Sequence, residues 1–426
     1  MASTSAYRVV MFPDGNFLAH ASRLLEIARV LRRDFGCDVR FAGDGPFMSL
    51  PREAGFHVDR GYTVPREETL ALASRATVVD PLWWSRVVQR SIRSDLDAIA
   101  RHQPDAVVGD MHWSLHAAAR DAGVPYVSVV NAAWTRYLDH QLAALDEHVL
   151  TRALGTRAAT RIMPFARTAL LWYWAWPYKV HGWRRATRAP ATLADVMEGD
   201  LTIFPDVPGL APVSGCPPTA RYVGPILWEP PAPAPEWVSR LDPDRTIYVS
   251  AGSTGTRELF DLAMTALAGS GYDVVMSTGE LNVPTAPAAA NIRVTKYVRG
   301  LAVMRRSAVS INHGGNGTVY QALACGVPVV GIPSHVDQQL QLQLCERAGV
   351  GRKLAARTTT PAQLRDAVDA LVSSPSVRQR ARDLAAEIAR YDGPRTAAAS
   401  IVDLCARRDT RQRRSRVPPE HQAALA

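Results

Sequence analysis

SINHGGNGTVYQALACGVPVVGIPSHVDQQ, residues 310 to 339, starts on the end of an apolar strand, passes through a glycine pair into a helical period, and returns as a second strand with a polar exit. Strand, helix and strand in so short a span is the unit of a parallel sheet, because the crossover helix carries the chain back to begin the next strand in the same direction. Gly314 and Gly315 let backbone approach a ligand without a Cβ in the way, and Gly317-Thr318 opens the helix TVYQALACG. The first amides of a helix lack intrahelical partners and carry about half an elementary positive charge, which suits a phosphate or diphosphate. Past the strand VPVVGIPS stand His335, Asp337, Gln338 and Gln339, at the carboxyl edge where open α/β sheets bind ligands. A carboxylate beside a carboxamide can take bidentate hydrogen bonds from vicinal hydroxyls, so a sugar joined to a diphosphate answers both halves of the stretch.

Outward from there, strand-like runs alternate with helical periods through most of the chain. Tyr7–Phe12, CDVRFAG, DAVVGD (105–110) and YVSVV (126–130) read as strands. Leu24, Leu25, Ile27, Ala28 and Leu31 form the apolar face of a helix that leaves Arg23, Glu26, Arg29 and Arg33 outside. Between Pro205 and Pro235 proline becomes too dense for a helix or a central strand. The alternation restarts with TIYVSAGS, YDVVMSTG and NIRVTKYV. The chain of 426 residues is too long for one ordinary core. It divides into a domain at 1–204, a linker at 205–240, a second α/β domain at 241–376, a helical return at 377–405 and a disordered basic tail at 406–426.

Apolar residues at 47% and charged ones at 21% are globular proportions, excluding a fibrous or disordered chain. The net charge of +9 invites a nucleic-acid reading, yet the tail from Ala406 holds six arginines against Asp409 and Glu420, so the body is only mildly basic. No nucleic-acid partner is expected. Five cysteines stand far apart without metal-ligand spacing, which fits a reducing cytoplasm and no metal site. The run ALLWYWAW at 169–176 falls well short of the roughly 20 residues that span a bilayer.

HGGNGTVYQALACGVPVVGIPSHVDQ, with RYVGP, TIYVSAGS and NIRVTKYV before it, closely resembles the donor signature of family 1 nucleotide-sugar glycosyltransferases, especially bacterial natural-product enzymes. The resemblance implies the GT-B fold, two Rossmann-like domains with parallel sheets facing a cleft. It implies that His313, Gly314, Gly315, Asn316, Gly317 and Thr318 hold the diphosphate with Ser253 and Thr254 opposite. Asp337 and Gln338 would bind the sugar, and Tyr297-Val298 would lie against the base. Where the family often has Val-Pro-Gln this chain reads Val298-Arg299-Gly300, which leaves UDP and dTDP both open. The nucleotide-sugar is a co-substrate, and no cofactor is implied.

By the same likeness His20 is the base that deprotonates an acceptor hydroxyl and Asp110 its orienting carboxylate. Ala19 and Arg23 stand where the family's Gly-His-x-x-Pro setting has glycine and proline. Asn16 is the other alignment, and His112 and His116 are rival bases. The expected chemistry is inverting displacement at the anomeric carbon without a metal; Asp242-Pro243-Asp244 reads as a turn. The family places its acceptor helices where this chain carries Trp172, Trp174 and Trp176, and with Trp134 these predict an aromatic or apolar small-molecule acceptor. An amphipathic membrane contact is the rival reading of that segment. An auxiliary, non-catalytic partner protein, a sugar-nucleotide epimerase on the same fold, and a homodimer also stay open.

Overall fold

The computed structural model describes residues 7–75, 80–139, 149–185, 190, 192–230, 233–279, 281, 283 and 289–416. The first sheet is built from β1 (Arg8–Pro13), β2 (Asp38–Ala42), β3 (His57–Asp59), β4 (Ala106–Asp110), β5 (Tyr126–Val129), β6 (Leu201–Phe204) and β7 (Ala220–Tyr222). Its order is β3-β2-β1-β4-β5-β6-β7, and every pairing is parallel. The second sheet takes β8 (Thr246–Ser250), β9 (Asp273–Ser277), β10 (Ile292–Thr295), β11 (Val309–Asn312), β12 (Val329–Gly331) and β13 (Gly351–Lys353), in the order β10-β9-β8-β11-β12-β13, again all parallel. Both sheets reverse direction of winding beside their first strand, between β1 and β4 and between β8 and β11. Those crevices are where doubly wound sheets hold ligands.

Each sheet is covered on both faces, so its strands are continuous apolar runs rather than alternating ones. Val9, Met11 and Phe41 pack with Leu24, Ile27 and Leu31 of the helix Leu18–Phe35, while Val10 and Phe12 face the helix Pro81–His102 through Val88 and Ile92. The second domain repeats the plan with Ile247, Val249 and Ile311 against Leu259, Phe260 and Leu364.

Three features differ from the sequence reading. Ala220–Tyr222, within the stretch assigned to a linker, pairs with β6 as the seventh strand of the first sheet. The C-terminal period is two helices, Pro375–Ile388 and Gly393–Arg416, and the second buries Ala397, Ala398 and Ile401 in the same cluster as Leu24 and Ile27 of the first domain. The basic tail is helical as far as Arg416; residues 417–426 lie outside the described residues. Among the described residues no helix is long and apolar enough to cross a membrane.

Candidate active site

A cavity of about 1200 Å³ lies between the two sheets, and both crevices open into it. On the first-domain side, β1 ends at Pro13 in register with Asp110, the last residue of β4. The helix Leu18–Phe35 then starts, and its third residue, His20, places Nδ1 2.6 Å from Asp110 Oδ1. Asp110 is fully buried, whereas His20 lines the cavity. With Nδ1 committed to the carboxylate, Nε2 is the nitrogen left to accept a proton. Met111, directly after Asp110, has φ +50°, a left-handed conformation that costs a non-glycine residue energy and turns the chain between Asp110 and His112.

Arg23 completes this group. Its Nε donates to Asp110 Oδ2 at 2.8 Å, its Nη2 to Oδ1 at 2.6 Å and its Nη1 to Asn131 Oδ1 at 2.7 Å. The side chain is 3% exposed, so the sequence expectation of an outward Arg23 is wrong: the residue sits one turn before Ile27 and one after His20, on the buried side. Nη2 and His20 Nδ1 approach within 3.1 Å because both donate to one carboxylate oxygen. Asn16 gives its side-chain amide to Val64 and Thr69, which removes it as a rival to His20. His116 binds the Glu198 carbonyl outside the cavity. His112 does line the cavity, with Nε2 3.1 Å from Asp95. Burial opposes its protonation, but the neighbouring Asp95 carboxylate outweighs that and raises its pKa.

On the second-domain side the helix Asn316–Ala324 begins at Gly315, and among the described residues no side chain caps it. Gly317 and Thr318 line the cavity, and a Cβ built on Gly317 would meet nothing within 4 Å. The amide of Gly314 is already taken by Asn312 Oδ1 at 2.8 Å, which removes it from the backbone donors that could meet an anion at this helix start. His313 is held between two glycines: a Cβ at Gly252 would fall 2.3 Å from its Cε1 and one at Gly315 2.5 Å from its Nε2. Its Nδ1 is buried without a hydrogen-bond partner. Burial, with the nearby His335, pushes its pKa down to about 3, so it serves as a neutral ring.

Ser253, Thr254, Tyr297, Val298, Asp337 and Gln338 all line the cavity. Gln338 is held internally, its Oε1 accepting from Ser334 N at 2.7 Å and its Nε2 donating to Thr254 Oγ1 at 3.1 Å. Trp134 Nε1 donates to Asp337 Oδ1 at 2.7 Å, bringing an expected acceptor residue onto an expected sugar residue across the cleft. Trp174 also lines the cavity, packed edge to face on Trp84 at 4.8 Å. Trp172 and Trp176 project from the outer face of the helix Thr156–Arg185 and are no part of the lining. Asp242 takes the Asp244 amide in a turn before β8, away from the cavity. Trp84, Trp113, Arg66 and Asn131 also line the cavity and were unseen in the sequence, because residues scattered over separate helices and loops after strands give no motif.

The comparisons with known proteins fall in line with this geometry. Residues 264–404 match the family model described as erythromycin biosynthesis protein CIII-like, C-terminal domain. A PGL/p-HBAD biosynthesis glycosyltransferase of Mycobacterium tuberculosis (strain ATCC 25177 / H37Ra) is 33% identical over 89% of this chain and 88% of its own. A PGL/p-HBAD biosynthesis rhamnosyltransferase of Mycobacterium bovis (strain BCG / Pasteur 1173P2) is 31% identical over 89% of this chain and 83% of its own. The crystal structure of CalG4, the calicheamicin glycosyltransferase, superposes with a TM-score of 0.71 over 95% of this chain and 99% of that one, at 20% identity. The chain belongs to the family 1 glycosyltransferases of the GT-B fold, of the bacterial natural-product type, and is a glycosyltransferase.

Proposed function

We propose that the protein transfers a sugar from a UDP- or dTDP-linked donor to a hydroxyl of an apolar or aromatic small molecule, with inversion and without a resident metal. One observation carries this reading: the His20–Asp110 pair and the uncapped helix at Gly315 open onto the same cavity from opposite domains. In the proposed step, His20 Nε2 removes the acceptor O–H proton as that oxygen bonds to the anomeric carbon. The bond from that carbon to the diphosphate oxygen breaks, and the leaving charge is met by the amides of Asn316–Thr318. Asp110 stabilises the imidazolium formed, as in other histidine–carboxylate pairs. Trp84, Trp113, Trp134 and Trp174 offer an aromatic wall for the acceptor, in a cavity large enough for both substrates.

A thermal-shift panel of UDP, dTDP and their sugars identifies the base, and an acceptor screen on the selected donor gives turnover and the anomeric configuration. His20→Ala is expected to keep the nucleotide shift and lose roughly 10²- to 10⁴-fold in kcat. A retained anomeric configuration, or full turnover by folded His20→Ala, overturns the proposed mechanism. Turnover that persists in a metal chelator is the expected behaviour.

A further inference from the structure

The helix Thr156–Arg185 has an outer face that the cavity does not use. Phe165, Trp172, Trp176 and Trp183 project from it with exposures of 79%, 51%, 39% and 65%. At about 100° per residue their directions fall within roughly 40° of one another. Leu170, Leu171, Trp174 and Tyr178, on the opposite side of the same helix, line the cavity. The exposed rings form a ridge, with Trp172 and Trp176 centroids 6.0 Å apart and Trp176 and Trp183 5.5 Å apart. Such a row of large rings in water is far from the scattered single apolar residues of an ordinary surface.

Charge selects the occupant. The helix sequence holds six arginines and lysines and no aspartate or glutamate. Arg161 and Lys179 flank the ridge on one side, and Lys179 Nζ stands 4.5 Å over the Trp172 ring. Tryptophan ridges edged by lysine and arginine match the layered chemistry of a lipid surface, where the rings sit at headgroup depth and the cations meet anionic phosphates. We propose that this ridge docks the enzyme on an anionic lipid bilayer, lying along its surface, so that a lipophilic acceptor drawn from the bilayer passes around the helix to the cavity that its opposite side lines. The acceptor route rests on the glycosyl-transfer reading above; the docking does not.

The experiment uses the full chain with extruded vesicles of phosphatidylcholine alone or with about a quarter phosphatidylglycerol. Co-sedimentation is expected to favour the anionic vesicles by about tenfold or more and to weaken in high salt, with tryptophan emission shifting to the blue. The double variant Phe165→Gln/Trp183→Gln, both sites exposed and outside the cavity, is expected to keep its melting temperature and nucleotide shift while vesicle partition falls about tenfold. Three results overturn the docking: no preference for anionic vesicles, a folded double variant that binds like the wild type, or a wild-type dimer that the double variant dissociates without vesicle binding, which would give the ridge to a second copy. Vesicle binding without glycosyl transfer would sustain the docking and refute only the acceptor route.

Discussion

Asp110 is a buried carboxylate answered by two residues, and the two answers have different uses. His20 reaches the cavity and can exchange a proton there, whereas Arg23 has both ends of its guanidinium fork on the protein's own acceptors. Arg23 is therefore a positioning residue whose loss leaves a buried negative charge poorly compensated. Arg23→Leu is expected to lower unfolding stability by about 3–5 kcal/mol in urea titrations. Arg23→Lys keeps the charge but cannot make the forked contact, so it should recover part of that stability while kcat remains about tenfold down. A stability change within about 1 kcal/mol for Arg23→Leu would remove the residue from this role. His313 supplies a second prediction. A histidine in the unfolded chain takes a proton near pH 6.5, but buried His313 does so only at about 3. Between those values the unfolded state binds more protons, so stability falls as pH falls. From pH 7 to 5.5 this amounts to about 1 kcal/mol, and His313→Gln is expected to flatten the wild-type pH slope by that much.

At the scale of elements, two glycines beside the cavity carry opposite predictions. Gly252, in the loop after β8, has φ +57° and lies against His313, so Gly252→Ala is expected to cost about 2–4 kcal/mol through backbone strain and overpacking. Gly317, in the first turn of Asn316–Ala324, faces open space, and alanine there is the better helix former. Gly317→Ala should hold its melting temperature and weaken nucleotide-diphosphate binding about tenfold, read by calorimetry; unchanged affinity would move the anion seat elsewhere. This element was legible in the sequence because a β-branched run, a glycine cluster and a helical period occur there in unbroken order. β7 was not, since three residues among prolines leave no period to read. Arg23 was misread because its partner Asp110 lies 87 positions away, and only the β1–β4 pairing brings them together. The aromatic helix carries a further signal in its sequence. Trp172 and Trp176 are one helical turn apart, and Trp174 falls on the opposite side, so its period already divided cavity from exterior.

Across the whole molecule, the cleft is closed at its base by a shared core and a buried polar cluster. Met111, Val130 and Val207 from the first half pack in one cluster with Val319, Leu323 and Leu342 from the second. Within it, Asp206 Oδ2 accepts the Ala132 amide at 2.7 Å, and Oδ1 accepts the Tyr320 hydroxyl at 2.9 Å. The same hydroxyl accepts the Val207 amide at 3.1 Å. Burial raises the pKa of Asp206 despite these donors, so the carboxylate depends on each one. Tyr320 belongs to the helix Asn316–Ala324, and Asp206 follows β6, so their bond ties the second domain to the first at the cleft floor. Arg66 makes a second tie near the rim, its Nη2 donating to the Ser253 carbonyl at 3.0 Å. Tyr320→Phe removes the floor tie with almost no change of volume, strands the Val207 amide and leaves Asp206 Oδ1 only the long 3.5 Å contact from Asn316 Nδ2. It is expected to cost about 1–3 kcal/mol. Because the loss falls between domains, the radius of gyration in solution scattering should rise, and donor KM should rise more than kcat falls. Asp206→Asn combined with Tyr320→Phe should be less than additive, since the two changes break one interaction. Full additivity, with an unchanged radius of gyration, would show that the floor contact does not set the separation of the domains.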